Sequence, residues 1–536
     1  MKFRPILPII SVILSIFTVC CRTASYESDI CIYGGNSAGV VAAFASNQLA
    51  RSAILIEPSV HLGGLSSGGL GATDIGNKMA ITGIARDFYR KLGVHYGQPE
   101  MWTFEPHVAE RIFNSMVDQP LIQVLKKYRL KEVIKENTVI REIILESTES
   151  HFWKPNIRIK ARIFLDCSYE GDLMARSGVS YTVGRESNTT YNETLNGVQL
   201  LDKHQFPDSI DPYVIPGKPE SGLLYGINPA PLQPAGTGDK LVQTYNFRLC
   251  LTRDTANMIA LMAPENYDPA HYELLKRVIE YREKKGLQVE LDKYLSIIEM
   301  PVNKTDINNN GPFSTDFINY SWNYPEAGYK TRENISKAHA DYTKGLLYFL
   351  GHDASVPDYL RKQMLSWGYS RDEFVDNGGF PHQLYIREAR RMIGEYVMTE
   401  HNCRGIAVAV DSVGKAAYTM DSHNCQRVVV NGMVKNEGDV QVGGFPPYPI
   451  SYRSITPKRE ECTNLLVPVC LSASHIAYGS IRMEPVFMVL AQSAAMAASM
   501  AIESNCKVQD IDVRSLQRKL ITDPYLDGRL PIPSYF

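Results

Sequence analysis

The chain has 536 residues, of which 44% are apolar and 21% charged, with 56 basic against 58 acidic side chains and a formal net charge of −2. That length suits one large two-lobed protein or two to three domains, and the composition is that of an ordinary globular protein. The balanced charge, with no long run of one sign, argues against a nucleic-acid partner.

The first residues bear on address. Lys2 and Arg4 precede PILPIISVILSIFTVCC, uncharged from Pro5 to Cys21. This is a basic segment followed by an apolar one shorter than the roughly 20 residues of a membrane span. Residues 1–25 therefore read as a signal peptide, with Thr23 and Ser25 offering a small-residue cleavage site. The expected location is outside the cytoplasm, periplasmic or held at the membrane by a lipid on Cys20 or Cys21. Val19 and Cys20 stand where a lipid-attachment motif prefers Gly, Ala or Ser, and a retained N-terminal anchor is the competing reading. Eight cysteines remain. Cys31 and Cys167 read as small buried apolar residues. No C-x-x-C occurs, and spacing leaves any disulfide among Cys403, Cys425, Cys462, Cys470 and Cys506 undetermined.

Asp29 to Pro58 reads strand–helix–strand, the second strand being SAILIEP. A glycine-dense loop follows, HLGGLSSGGLGATD from His61 to Asp74. PHVAERIFNSMVDQPLIQVLKKY then carries a helical pattern from Pro106 to Tyr128, with Pro120 inside it. Three strand-like runs come next: EVIKENTVIREIILES, NIRIKA, and RIFLDCS with Asp166 near its end. Strands alternating with helices predict a parallel sheet with an antiparallel insertion. From about Arg185 to Ser454 the character changes to helices between loops rich in Pro, Asn and Gly. NLLVPVC then returns to a buried strand, followed by a helix rich in Ala, Met and Ser. The predicted architecture is α/β: a discontinuous Rossmann-like lobe formed by residues 26–184 and 455–510, an inserted α+β substrate lobe over 185–454, and a C-terminal tail over 511–536.

The first turn is an imperfect dinucleotide fingerprint. In YGGNSAG, Gly34 and Gly39 fill the first and third glycine slots, which serve the tight bend and close helix–strand packing. Asn36 fills the second. Gly35 keeps the loop bare, Asn tolerates positive φ, and Ser37 is placed to cap a helix whose N-terminal amides attract phosphate. Glu57 lies 23 residues after Gly34, close to the expected spacing of about 20 for the acid that binds ribose hydroxyls and repels a 2′-phosphate. Gly63, Gly64, Gly68, Gly69 and Gly71 then provide bare backbone for an extended cofactor, which fits FAD better than a nicotinamide nucleotide.

YGGNSAG, the acid of LIEP, HLGG with SGGLGATD, and FLDCSYEGDLMARSGVSYTVGRES resemble the FAD-dependent oxidoreductase family of exported and soluble bacterial flavoproteins. So do QTYNFRLCLT, GGFPHQLYIREARRMIGEY, MDSH and SASHIAYGSIRMEPVFMVLAQSAAMAA, and the resemblance runs from about Asp29 to Ala501. It implies a nucleotide lobe like that of the glutathione-reductase and fumarate-reductase superfamily. Gly34, Gly35, Ser37, Ala38, Gly39, Glu57, Gly63 and Gly64 would then touch FAD, with Asn36 and Pro58 beside them and Asp166 near the cofactor. The superfamily's late acidic residue is missing from VCLSASH, so Ser472, Ser474 or His475 would stand in for it.

For chemistry, His475 is the first candidate acid/base because its unperturbed pKa is near neutral. Arg482 is placed to stabilise developing negative charge, with Glu484 beside it. The competing reading pairs Arg482 with Glu484 and leaves His475 a satisfied core residue. Arg387, Arg390 and Arg391 would share one helix face, as an anion clamp or, more commonly, a surface salt-bridged to Glu388 and Glu395. His382 and Asp376 are secondary candidates. Asp421 and His423 form a third polar cluster, expected in the second lobe facing the cofactor. Glu105 and His107 fit helix capping, and no pattern marks a metal site or a serine hydrolase. The reading is an FAD-dependent oxidoreductase passing hydride between a small molecule and the flavin, with a sugar or sugar-derived alcohol preferred and the electron acceptor undefined. A carbohydrate-binding or scaffold protein with a decayed cofactor site, and a flavoprotein catalysing net non-redox isomerisation or elimination, stay open at this point.

Overall fold

The computed structural model describes residues 24–149 and 155–522. The apolar leader and the end of the tail lie outside them. Ala24 and Ser25, at the edge of the expected leader, already pair with Ile157 and Arg158.

β1 (Ala24–Tyr33), α1 (Ser37–Gln48) and β2 (Ala53–Glu57) form the expected opening unit. α2 (Gly83–His95) and α3 (Pro106–Val117) follow. The long helix expected to Tyr128 ends instead at Val117, because Pro120 cannot donate in a helix and biases the residue before it away from helical geometry. Beyond it, Ile122–Lys126 is a strand, β3, paired in parallel with β2. The run EVIKENTVIREIILES folds as a hairpin of β4 (Tyr128–Glu136) and β5 (Val139–Ser147), turning at Asn137 with φ 51°. NIRIKA and RIFLDCS join into one strand, β6 (Ile157–Asp166).

The main sheet runs β3-β2-β1-β6-β5-β4. Along β6, the first half pairs antiparallel with β5 and the last residues pair in parallel with the distant strand Leu465–Leu466. That late strand makes the lobe discontinuous. Tyr33 pairs with both Ile56 and Asp166, so the parallel strands end at one level, where open α/β sheets bind their ligands. α1, buried from Ser37 to Ser46, packs against the helix Glu484–Ser504. That helix is long and apolar enough to cross a membrane, but its apolar window is 94% buried inside the protein. Small side chains on both helices allow this close approach, and a helix apolar all round is a core helix.

The second lobe holds a five-stranded antiparallel sheet of Leu295–Met300, Lys304–Asn309, Leu249–Thr252, Gly368–Ser370 and Met258–Ile259. The helices Glu273–Lys284, Tyr329–His352 and Asp358–Leu365 accompany it. Its apolar core runs from Val183 to Ala389 with Val434, whereas apolar residues from Met398 to Ile455 pack into the core of the first lobe. The eight described cysteines are free, Cys31 and Cys167 among the buried ones.

Candidate active site

A cleft of about 600 Å3 opens at the ends of β1, β2 and β6, lined on the first-lobe side by Gly34, Asn36, Glu57, Pro58 and Gly64. Gly34 has φ +102°, and a Cβ there would lie 2.7 Å from the Ser168 amide nitrogen. A Cβ on Gly39 would lie 1.8 Å from the Gly34 carbonyl oxygen, so helix and turn meet through bare backbone. Asn36, not Ser37, caps α1. Its φ is −71°, its Oδ1 accepts from the Gly39 N–H at 3.0 Å, and its Nδ2 donates to the Cys167 carbonyl. The tolerance of Asn for positive φ is therefore not used. Ser37 begins the helix and donates to Glu484.

Glu57 accepts from the Gly35 N–H at 2.8 Å and from the Ser59 N–H at 2.7 Å. Burial raises its pKa, and those hydrogen bonds work against the shift. Asp166 is fully buried and orders the opposite wall. It accepts from the Ser168 hydroxyl at 2.6 Å and the Met174 N–H at 2.8 Å, and burial pushes it up to about 6 despite those bonds. Ser168 lines the cleft, whereas Asp166 holds it in place. Gly63 has φ +102°, and its N–H donates to the Gly35 carbonyl. Ala38 is buried in the core.

The second lobe closes the cleft with Phe247, Leu384, Ile386 and one face of the helix Tyr329–His352. Arg332, Ser336, Ala340 and Lys344 recur on that helix every four residues, a spacing from which this wall could have been recognised. Tyr169 and Arg129 also line the cleft and were not anticipated. His382 lies in it too, stacked on His61 with ring centroids 3.7 Å apart. Both His382 nitrogens lack partners, and burial with the neighbouring His61 lowers its pKa to about 4.

The other candidates are placed elsewhere. His475 starts the helix His475–Ile481 and has both ring nitrogens engaged, one by Glu388 at 2.8 Å and one by Ser422 at 2.9 Å, the arrangement of a structural histidine. Ser472 accepts from the Gly394 N–H, and Ser474 caps the His475 helix and donates to Glu193; neither lines the cleft. Arg482 and Glu484 do not pair. Arg482 donates to the Tyr385 hydroxyl at 2.7 Å, while Glu484 accepts from Ser37, Ser66 and Tyr169, and burial raises its pKa. The expected arginine-bearing helix face is absent. Its segment is irregular apart from the two-residue strand Arg391–Met392, and the three side chains are buried separately: Arg387 on Asp316, Arg390 on Asp172 and Glu326, Arg391 on Glu186 and Glu388. Glu105 makes no side-chain cap. With His107 and Glu373 it forms the one metal-type cluster found among the described residues, and the Lys304 ammonium already sits between the two glutamates at 2.7 and 2.8 Å.

The cleft fits the ADP half of FAD. Bare backbone at Gly34 lets the turn pack directly on Cys167 and Ser168 while lining the cleft, and behind it the amides of Ser37 and Ala38 precede the first intrahelical bond of α1. Glu57 lines the same wall, its carboxylate held by the Gly35 and Ser59 amides. Fold and site define a dinucleotide-binding protein of the two-lobed flavoprotein type. The model of the FAD dependent oxidoreductase family matches residues 29–520, and the chain belongs to that family. It is an enzyme and FAD is its cofactor. No curated protein matches the chain. Among solved structures, it is similar to Thermovibrio ammonificans THI4, with 15% identity and a TM-score of 0.24 over 32% of this chain and 71% of that one. It is also similar to L-proline dehydrogenase from P. horikoshii, with 14% identity and a TM-score of 0.19 over 31% and 26%. The OxyS anhydrotetracycline hydroxylase from Streptomyces rimosus gives 10% and 0.24 over 39% and 43%. The chain thus spans about a quarter of the dehydrogenase and less than half of the hydroxylase.

Proposed function

We propose that this FAD-dependent oxidoreductase passes hydride between a small molecule and its flavin, and that the small molecule is a sugar or sugar-derived alcohol. The supporting observation is the cleft itself, with a nucleotide turn on one wall and second-lobe side chains on the other. When bound, FAD supplies the two-electron acceptor. Glu57 would hold the ribose and the turn at Gly34 and Asn36, ahead of α1, the pyrophosphate, while Phe247, Leu384 and Ile386 would exclude water from the closed side. Export through the leader is part of the same proposal, and the reduced enzyme would hand its electrons to an acceptor outside the chain. The test is anaerobic mixing of the flavin-loaded protein with a panel of sugars, alditols and organic acids. Bleaching of the oxidised flavin band by a sugar or alditol supports the proposal. A flavin that dithionite bleaches and no member of the panel does contradicts it. Export is checked separately by N-terminal sequencing of protein from the native host: an intact Met1 rules out cleavage.

A further inference from the structure

Six side chains outside the cleft close into a ring. The Tyr385 hydroxyl accepts from Arg482 at 2.7 Å, and Arg482 faces Asp421 at 3.6 Å. Asp421 lies 3.7 Å from His423 Nε2, and His423 Nδ1 is 3.0 Å from Asp316 Oδ2. The other Asp316 oxygen is 2.9 Å from Arg387, whose guanidinium lies 4.7 Å over the Tyr385 ring. Four separate stretches of chain supply these residues. Tyr385 packs with Leu65 and Leu70, so the ring adjoins the glycine-dense loop. Leu384 and Ile386, its neighbours in sequence, line the cleft.

The ring is incomplete in one respect. Arg387 Nε, Arg482 Nε, Asp421 Oδ1 and Asp316 Oδ1 are buried without hydrogen-bond partners, the last although it is ion-paired with Arg387, and the arginines are only 1% and 4% exposed. A buried polar group left unpaired is costly, so four in one ring call for a polar occupant. Two arginines balance two aspartates, so the site does not select a net anion. Two free donors and two free acceptors match hydroxyl groups, which both accept and donate.

We propose that this ring is the substrate site, that it takes a neutral polyol, and that His423 receives the hydroxyl proton as the substrate is oxidised. The proposal rests on the hydride-transfer reading above. The carbinol C–H bond breaks and its electron pair leaves as hydride to FAD, the oxidant. The O–H bond breaks, its electron pair forms the C=O bond, and its proton passes to His423 Nε2. Substrate thus loses two electrons and two hydrogens, one hydrogen to FAD and one to the imidazole. Asp316 at Nδ1 fixes the tautomer that leaves the Nε2 lone pair free. Asp421 at 3.7 Å is too far to claim Nε2 by a hydrogen bond, and its free Oδ1 takes a second hydroxyl of the polyol.

The test is anaerobic stopped-flow reduction of the FAD-bound protein by sorbitol, myo-inositol and D-glucose, with lactate and malate for comparison. It uses wild type, His423→Asn and Asp421→Asn, each checked first for FAD content. Thermal stabilisation of His423→Asn by the polyol reads binding apart from reduction. A polyol is expected to reduce the wild type, and the hydroxy acids are not. The charged groups facing His423 are Asp316 and Asp421, with Arg387 and Arg482 behind them. His423→Asn should slow reduction by about 100-fold or more and still be stabilised by the polyol. Asp421→Asn should raise the half-saturating polyol concentration about 10-fold. Unchanged reduction in His423→Asn overturns its assignment and leaves the hydride-transfer reading intact. Reduction by the hydroxy acids alone overturns the polyol class and leaves that reading intact. A wild type reduced by none of the probes overturns both. Should His423→Asn fail to hold FAD, an unchanged half-saturation in Asp421→Asn overturns the ring as the polyol site.

Discussion

Asn36 stands where a second glycine is expected, and its amide works inward: one end caps α1 on Gly39 and the other ties the turn to Cys167. Asn36→Gly should therefore retain FAD while losing about 1 kcal/mol of stability, read as unchanged flavin content with a lower melting temperature. Gly39→Ala should behave oppositely. Its new Cβ meets the Gly34 carbonyl at 1.8 Å, so the turn must open, at a cost of about 1–3 kcal/mol and with loss of flavin. Glu57→Ala removes the acceptor for Gly35 and for the ribose, and FAD affinity should fall by about 10- to 100-fold in a fluorescence titration. The placement of Gly34, Gly39 and Glu57 was legible in the sequence because a fixed spacing sets them at the end of one strand, in the first turn of the helix and at the end of the next strand. The ring around Tyr385 was not: its members lie up to 166 positions apart, from Asp316 to Arg482, and only the fold brings them together. Asp421 and His423 could be noticed as a polar cluster, but their partners could not.

At the scale of elements, local signals held where neighbours agreed with them and failed where tertiary context ruled. Pro120 ended α3 and freed Ile122–Lys126 to extend the sheet. The arginines 387, 390 and 391 match a helical spacing, yet each pairs with a different carboxylate and the segment is not a helix. His61 shows how one side chain ties elements together. It bonds Glu110 on α3 and Asp376 on the turn Val375–Asn377, both at 3.0 Å. The hydrogen bond to Glu110 raises the His61 pKa above 6.5, against the effect of burial. Its contribution to stability is thus fully present below about 6.5 and fades as pH rises through the folded value. Glu110 is shifted down: burial works against it, and His61 overrides that. Its contribution holds above its ordinary range and fades as pH falls through the lowered value. The urea midpoint should therefore decline on both flanks, and His61→Gln should flatten the alkaline one. An identical pH profile in the variant would refute the tie.

Across the whole molecule, the lobes are joined by buried charge as well as by apolar packing. Asp172, on the short helix Asp172–Arg176 after β6, binds Arg332 from the long second-lobe helix at 2.7 Å and Arg390 at 2.8 Å. Burial opposes its ionisation, and the two arginines nevertheless hold its pKa below the ordinary range. Asp172→Ala would leave both guanidiniums buried without it, and should cost about 3–5 kcal/mol in chemical denaturation. The alternation of strands and helices made the two-lobed plan and the return of the late strand legible. How the segment between Met398 and Ile455 divides between the two cores was not, because its apolar residues carry no mark of which lobe they pack on. The most direct test is FAD titration of flavin-stripped protein, followed by fluorescence and melting temperature. Saturation at one FAD per chain is predicted, with stabilisation of about 2.7 kcal/mol when free FAD is 100 times Kd and a weaker response in Glu57→Ala. A protein that stays colourless and melts at the same temperature with and without FAD would contradict the assignment of the strand-end cleft.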